Sequence, residues 1–135
     1  MITLTEEMFM SGRPVAQGEV LIWMKKYAPR AVLEAIASGK YEEMSLSHDR
    51  MIIGHSETGH HHVLAPVLKM PMSEAARAFI DKTNDGIVDL KLLTDCTLTH
   101  LRVDHQHGSY MLPKGEYVKG TRWEQSPEGW RRVAD

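Results

Sequence analysis

The chain has 135 residues, of which 42% are apolar and 25% charged, and its formal net charge is -2. This length and composition predict one globular domain, residues 1–135, with an ordinary hydrophobic core. The near-neutral charge excludes a general attraction to nucleic acid or acidic membranes. No apolar run approaches the roughly 20 residues of a membrane span. Cys96 is the single cysteine, which excludes an intrachain disulfide.

The first third of the chain is predicted to contain one buried strand and one short helix. Residues 17–24 combine a glycine-containing turn with an apolar run, which predicts a turn that leads into a buried strand. Pro29 occupies a position favoured for the first helical residue, and Gly39 is typical of a helix end. We therefore predict a short surface helix that has Pro29 as its first residue and continues over residues 30–38.

A hairpin is predicted in the middle of the chain. Apolar and β-branched arms flank the tetrapeptide Ser-Glu-Thr-Gly between His55 and His60, which has the composition of a four-residue hairpin loop. In such a hairpin His55 and His60 face each other across the strands. Because side chains alternate between the two faces of a strand, His62 shares their face and His61 points the other way.

The rest of the chain is predicted to be strands, apart from a second helix that begins at the N-cap Ser73 and ends near residues 84–86. The predicted strands are 87–93, 97–103, 116–124 and 130–134, with turns at 112–115 and 126–129. Many short strands with only two short helices predict a mainly β fold, a small single-domain β-barrel or sandwich.

A second group of histidines consists of His100, His105 and His107. The prediction for them depends on the apolar residues at the odd positions 101 and 103. If those residues face the core and the strand continues, His105 and His107 point inward as well. His100, at an even position, is then predicted to lie on the outer face.

Together the histidines predict a metal site. Neutral imidazole is the commonest protein ligand for divalent transition metals, and two His-x-His pairs brought together would supply three or four imidazoles to one ion. The candidate ligands are His55, His60, His62, His105 and His107. The expected ion is zinc, or else iron, manganese or nickel. The pattern leaves open a hydrogen-bonded histidine cluster that binds no metal.

Glu57 is the candidate catalytic residue. A site with three protein ligands and an open position would let the ion lower the pKa of bound water or bind a substrate, and Glu57 would act as a general base or a fourth ligand. Two histidines with one carboxylate is also the arrangement of non-haem iron oxygenases. A metal-dependent hydrolase or oxygenase is therefore one interpretation, and the sequence does not identify its small-molecule substrate.

Five segments of the sequence resemble a known group of proteins. Residues 54–64 contain the run His-Ser-Glu-Thr-Gly-His-His-His, and residues 112–117 read Leu-Pro-Lys-Gly-Glu-Tyr. With the opening strand at 17–22 and the segments 122–124 and 130–135, they resemble a family of small uncharacterised proteins encoded by phages, prophages and bacteria. The resemblance implies a phage or prophage context and no particular activity.

A second similarity is to cupins, small β-barrels whose first motif holds His-x-His followed by a Glu and whose later strand supplies another His. His60 and His62, and then His105 or His107, would play those parts, which implies a cupin-like, metal-dependent enzyme. The chain departs from the cupin pattern because residues 63–73 contain no acid.

The alternative function is structural. A virion or accessory protein that assembles by symmetry, as a homo-oligomer, suits a phage context, and Trp23, Trp123 and Trp130 are candidate interface anchors or core residues. The sequence contains no stripe of basic residues with interleaved aromatic residues, so we expect no nucleic-acid partner. The first residues lack the features of a signal peptide, so the expected location is the host cytoplasm, or the virion.

Overall fold

The computed structural model describes residues 1–54, 61–83, 86–100, 107–126 and 129–132, with the backbone alone for residues 107–108, 123–126 and 129–132. Over these residues the predicted mainly β fold with two short helices is confirmed. In chain order the strands are β1 (Ile2–Thr3), β2 (Val15–Gln17), β3 (Val20–Met24), β4 (Glu42–Glu43), β5 (Met51–Gly54), β6 (His62–Pro66), β7 (Ala76–Ile80), β8 (Val88–Leu92), β9 (Cys96–His100), β10 (His107–Leu112), β11 (Gly115–Thr121), β12 (Trp123–Ser126) and β13 (Gly129–Arg132). The α-helices are α1 (Arg30–Ser38) and α2 (Met72–Ala75), and 3-10 turns cover Glu6–Phe9 and Lys25–Tyr27.

Two sheets carry the fold. The first has the strand order β1-β10-β9-β6-β5, in which only β1 and β10 are parallel, and the second has the antiparallel order β2-β3-β11-β8-β7-β4. Apolar side chains of both sheets, such as Leu64 and Leu98 from the first and Ile22 and Leu90 from the second, belong to one buried core. The described residues therefore form two sheets that share one core, and they form no closed barrel.

The arms of the predicted hairpin are confirmed as β5 and β6. Met51 pairs with Leu64 and Ile52 with Val63, which is the predicted register. The register then shifts by one residue, so that Gly54 lies opposite His62. Such a shift is a β-bulge, which redirects the side chains that follow it. The predicted loop between the arms lies outside the described residues.

Helix α1 ends where predicted and begins one residue later than predicted, because Pro29 is its N-cap with a ψ of 145° instead of its first helical residue. It follows Pro29 directly and is followed by Gly39, so the residues that favour a helix start and a helix end are used as the sequence indicates. Its Val32, Leu33 and Ile36 are half-buried and pack against the core, while no residue of the helix is fully buried. The helix is thus a surface element, as predicted.

The second predicted helix is wrong over most of its length. Helix α2 is a single turn, and the chain continues as strand β7 between β8 and β4. Ala76 and Ala78 face the core and Arg77 is exposed. Side-chain burial thus alternates from one residue to the next, as it does in a strand. Pairing on both edges outweighs the helical preference of an alanine-rich run, because propensity is a weak prior beside tertiary contacts.

Among the residues that the structure describes, no helix has both the length and the apolar character needed to cross a bilayer.

Candidate functional site

Three of the chain's eight histidines occupy one row of the first sheet. His62 of β6 pairs with His100 of β9, and His100 pairs in turn with His107 of β10. On the other side, His62 pairs with Gly54 of β5. This row, which we call the histidine row, lies at the end of the sheet where β5 and β9 stop and β6 and β10 begin.

The imidazoles of His62 and His100 are stacked inside the protein. Their ring centroids lie 4.0 Å apart and their planes differ by 12°. Both residues have 0% of their surface exposed, so the pair is part of the interior and not of the surface. Buried polar side chains of this kind are uncommon and need specific partners.

The inward position of His100 corrects the prediction that it faces outward. Cys96, Leu98 and His100 are buried, and the threonines between them are half-exposed. The even positions of β9 therefore face the core. The prediction was based on residues 101 and 103, which lie outside the described residues. The alternation of buried residues within β9 itself gives the opposite orientation.

Gln17, on the opposite sheet, fixes the orientation of His62. The Nε2 of Gln17 donates to the backbone oxygen of Leu98 at 3.3 Å, and its Oε1 lies 2.9 Å from His62 Nδ1. Because the amide NH₂ group is used on Leu98, the amide oxygen is the atom that faces His62, and Nδ1–H of His62 donates to it. In neutral His62 the remaining ring nitrogen, Nε2, then carries the lone pair.

A tight turn places Gln17 in this position. Gln17 pairs with Val20 across a two-residue loop in which Gly18 has a φ of +56°, a conformation that suits glycine in a hairpin. Gln17 is 3% exposed, and its side chain spans the gap between the sheets. Sequence reasoning missed it, although its place two residues after Val15, on the same face of β2, was the signal available.

Gly54 completes the surroundings of the His62 ring. A Cβ atom at this position would lie 3.0 Å from His62 Cδ2 and 2.6 Å from Val20 Cγ2. Both distances are shorter than ordinary van der Waals contacts, so the glycine allows β5, β6 and β3 to approach each other here. The ring of His62 is thus enclosed by Gly54 on one side, His100 on the other and Gln17 from the facing sheet.

Two charged residues are also buried near this end of the second sheet. Lys119 is 7% exposed, pairs with the core residue Ile22 and donates from Nζ to Thr121 Oγ1 at 3.1 Å. Glu19, in the loop after Gln17, is 4% exposed. Sequence reasoning missed both of them, because neither the turn position of Glu19 nor the place of Lys119 between Val118 and Gly120 indicates burial.

The structure places the predicted ligands only in part. His62 is in the interior, and the backbone of His107 lies in the same row. His61 is half-buried and directly precedes β6, so its predicted opposite orientation stays a prediction. The other candidates lie outside the described residues: His55, Glu57, His60 and His105. Among the side chains that the structure describes, no three His, Cys, Asp or Glu residues converge as a metal site, so the ligand set stays a prediction.

Fold and site together define a mainly β domain of two sheets with a buried histidine pair at one end. The chain belongs to the family described as a domain of unknown function (DUF8820), whose model matches residues 16–122. Comparisons with curated proteins and with solved structures found no significant match. Gln17, His62 and His100 all lie within the matched residues, so the site is part of the family's domain.

Proposed function

We propose that the histidine row binds a divalent transition metal, with His62 as the ligand contributed from the interior. The observation that carries this proposal is the buried 2.9 Å contact between His62 Nδ1 and Gln17 Oε1. Histidines that bind metals almost always donate their other N–H to a carbonyl or carboxylate oxygen, which fixes the tautomer and the ring orientation. The amide oxygen of Gln17 has this role, and we propose Nε2 of His62, which carries the lone pair in that neutral tautomer, as the metal-binding atom.

The remaining ligands are proposed from the chain connections. His60 precedes His62 by two positions and His105 precedes His107 by two, and both segments leave the sheet at the histidine row. We propose His60 and His107 as further ligands, with His105 or Glu57 as the next candidate and His55 after them. An imidazole-rich site suits zinc, iron or nickel, and zinc is proposed first.

Further proposals rest on the sequence resemblances. If the ion keeps an open position, Glu57 would serve as its general base or last ligand, in a metal-dependent enzyme of cupin-like type acting on a small molecule. A phage or prophage context, with the protein in the host cytoplasm or the virion, is proposed from the resemblance of residues 54–64 and 112–117.

A second candidate function is assembly as a homo-oligomeric virion or accessory protein, in which exposed apolar side chains would be buried between copies. Met1, Ile2 and Met10 are 77%, 52% and 65% exposed, and exposed apolar groups mark interaction surfaces when they form a patch. Trp23, proposed as an interface anchor, is buried and donates Nε1–H to the backbone oxygen of Gly12 at 3.0 Å, so it belongs to the core. The side chains of Trp123 and Trp130 lie outside the described part of the chain.

Elemental analysis of protein purified without a histidine tag, followed by titration with Zn²⁺, tests the metal proposal. We expect one ion per chain, weaker binding in His62→Ala and unchanged binding in His61→Ala. His48→Ala is the matched control, because His48 is an exposed histidine on a different part of the chain. Wild-type protein that binds no zinc, or equal losses in His61→Ala and His62→Ala, would contradict the proposal.

A further inference from the structure

We infer that His100 is a positioning residue, which holds the His62 imidazole by stacking and is not a second ligand to the same ion. The inference rests on the proposed function, since it concerns how the metal-binding ring is held. His100 is fully buried and directly paired with His62 in the sheet. A buried histidine beside a proposed ligand could itself be a ligand. The geometry of the two rings decides whether His100 can bind the same ion.

The relative orientation of the two rings excludes a shared ion in this arrangement. An imidazole binds a metal through a nitrogen lone pair, which lies in the ring plane, at roughly 2.0 to 2.1 Å. The planes of His62 and His100 differ by only 12°, and the ring centroids are 4.0 Å apart. Two nearly parallel planes with that separation do not meet within the length of a metal–nitrogen bond, so no ion can lie in both.

His100 supports the His62 ring from one side within the sheet. The two row neighbours of His62 are Gly54 and His100, and Gly54 contributes no side chain. On the His100 side the contact is a flat ring against a flat ring, which restricts rotation of the His62 side chain about its own axis. The hydrogen bond to Gln17 fixes the direction of His62 Nδ1. The hydrogen bond and the stacked ring together hold Nε2 in one position.

This division of roles predicts which property of His100 matters. Stacking requires a flat ring of similar size and does not require a nitrogen atom, whereas a ligand requires the nitrogen. His100→Phe should therefore preserve the role of His100, and His100→Ala should remove it. For a ligand, both substitutions would be equally damaging.

The first experiment compares Zn²⁺ affinity in wild type, His100→Phe, His100→Ala and His62→Ala by competition with a chromophoric chelator. We expect His100→Phe to bind within about threefold of wild type, and His100→Ala to bind about 10- to 100-fold more weakly, the usual effect of losing a group that orients a ligand. Loss of binding in His100→Phe as severe as in His62→Ala would overturn the inference, as would wild-type affinity in His100→Ala.

A second measurement requires no folded variant at position 100. This experiment uses wild-type protein labelled with ¹⁵N-histidine, in which the Nε2 resonance of His62 is identified by its loss in His62→Ala. Zn²⁺ should shift that resonance. The ring nitrogens of His100, which is stacked on His62, should show no coordination shift. Coordination shifts on both stacked rings would overturn the inference. If wild-type protein binds no zinc, the proposed function fails separately. The positioning role is then tested on the two variants at position 100 instead. The hydrogen-bonded Nδ1–H signal of His62 should persist in His100→Phe and weaken in His100→Ala, because a ring that rotates keeps its bond to Gln17 Oε1 for only part of the time.

Discussion

Gln17 and His62 come from different sheets and are joined by a buried hydrogen bond in which His62 Nδ1 donates to Gln17 Oε1 at 2.9 Å. The same amide donates to the Leu98 backbone oxygen at 3.3 Å, so one side chain of β2 contacts two strands of the facing sheet. A buried polar contact contributes modestly while it is complete, and loss of one partner leaves the others with the full cost of desolvation. The two sheets are therefore coupled where the proposed metal ligand lies.

The first prediction concerns Gln17→Leu. It removes both hydrogen bonds while keeping a side chain of similar size, so the free energy of unfolding should fall by about 1 to 3 kcal/mol. Zn²⁺ affinity should fall about 10- to 100-fold, because the tautomer of His62 is no longer fixed. Urea unfolding and chelator competition measure the two effects.

Gln17→Glu is the control for this prediction, because it keeps an acceptor oxygen toward His62 and replaces only the donor to Leu98. It should bind Zn²⁺ more tightly than Gln17→Leu, even if it unfolds as easily. Wild-type zinc affinity in Gln17→Leu would show that Gln17 does not orient the ligand.

The second prediction concerns the close approach at Gly54. In Gly54→Ala the new Cβ would lie 2.6 Å from Val20 Cγ2 and 3.0 Å from His62 Cδ2, so a neighbour must move. Overpacking of this kind typically lowers the free energy of unfolding by about 1 to 3 kcal/mol. The control is the double variant Val20→Ala/Gly54→Ala, in which the shortest contact is gone. Its loss of stability should be smaller than the sum of the single losses, and strict additivity would argue against this contact.

Much of the fold could be predicted because local signals and tertiary structure agree. Pro29 and Gly39 mark the ends of α1, and the arms of the β5–β6 hairpin carry enough apolar residues to fix the early register. The two signals disagree at Ala76–Ile80, where an alanine-rich run has helical preference but strand partners on both edges. A single sequence contains no direct record of those partners.

The candidate site was harder to predict for a related reason. Alternation along β9 divides its residues into two faces, and the buried Cys96 and Leu98 show which face is inward. The contact of Gln17 with His62 joins residues 45 positions apart on different sheets, so no periodicity within one segment indicates it. The sequence thus indicated His62 as a site residue but not the groups that hold its ring.

The third prediction is a loss of stability at alkaline pH. Burial, with a smaller effect of Asp95, raises the pKa of the Cys96 thiol from 9.0 to about 11, and burial raises the pKa of Tyr117 from 10.0 to about 12. Above the unfolded pKa, the unfolded chain loses protons that the folded chain keeps. The free energy of unfolding should therefore fall as pH rises from about 9 toward 11 for Cys96 and from about 10 toward 12 for Tyr117, by up to about 1.4 kcal/mol per pH unit for each group.

Urea unfolding across this pH range measures the effect, with Cys96→Ala and Tyr117→Phe as the variants that remove one titrating group each. Each should flatten the part of the profile assigned to its own group. Tyr117→Phe also removes the hydrogen bond from Tyr117 Oη to the Pro113 backbone oxygen, so the slope with pH is compared, not the absolute stability. Unchanged slopes in both variants would contradict the assignment.

The last prediction is that bound metal stabilises the fold. Ligands near the β5–β6 hairpin and near β10 would connect segments far apart in the sequence, and an ion that binds only the folded chain stabilises it by mass action. At a free ion concentration about 100 times the Kd, the gain is about 2.7 kcal/mol, or a rise in Tm of roughly 10 °C for a domain of this size. The ligands must be unprotonated, so the gain should be present at about pH 7.5 and fade as pH falls through the range of a free imidazole, near 6.5. Thermal melting with and without a chelator measures it, and His62→Ala should show little chelator effect. Identical melting temperatures in protein shown beforehand to carry metal would contradict a stabilising site at the histidine row.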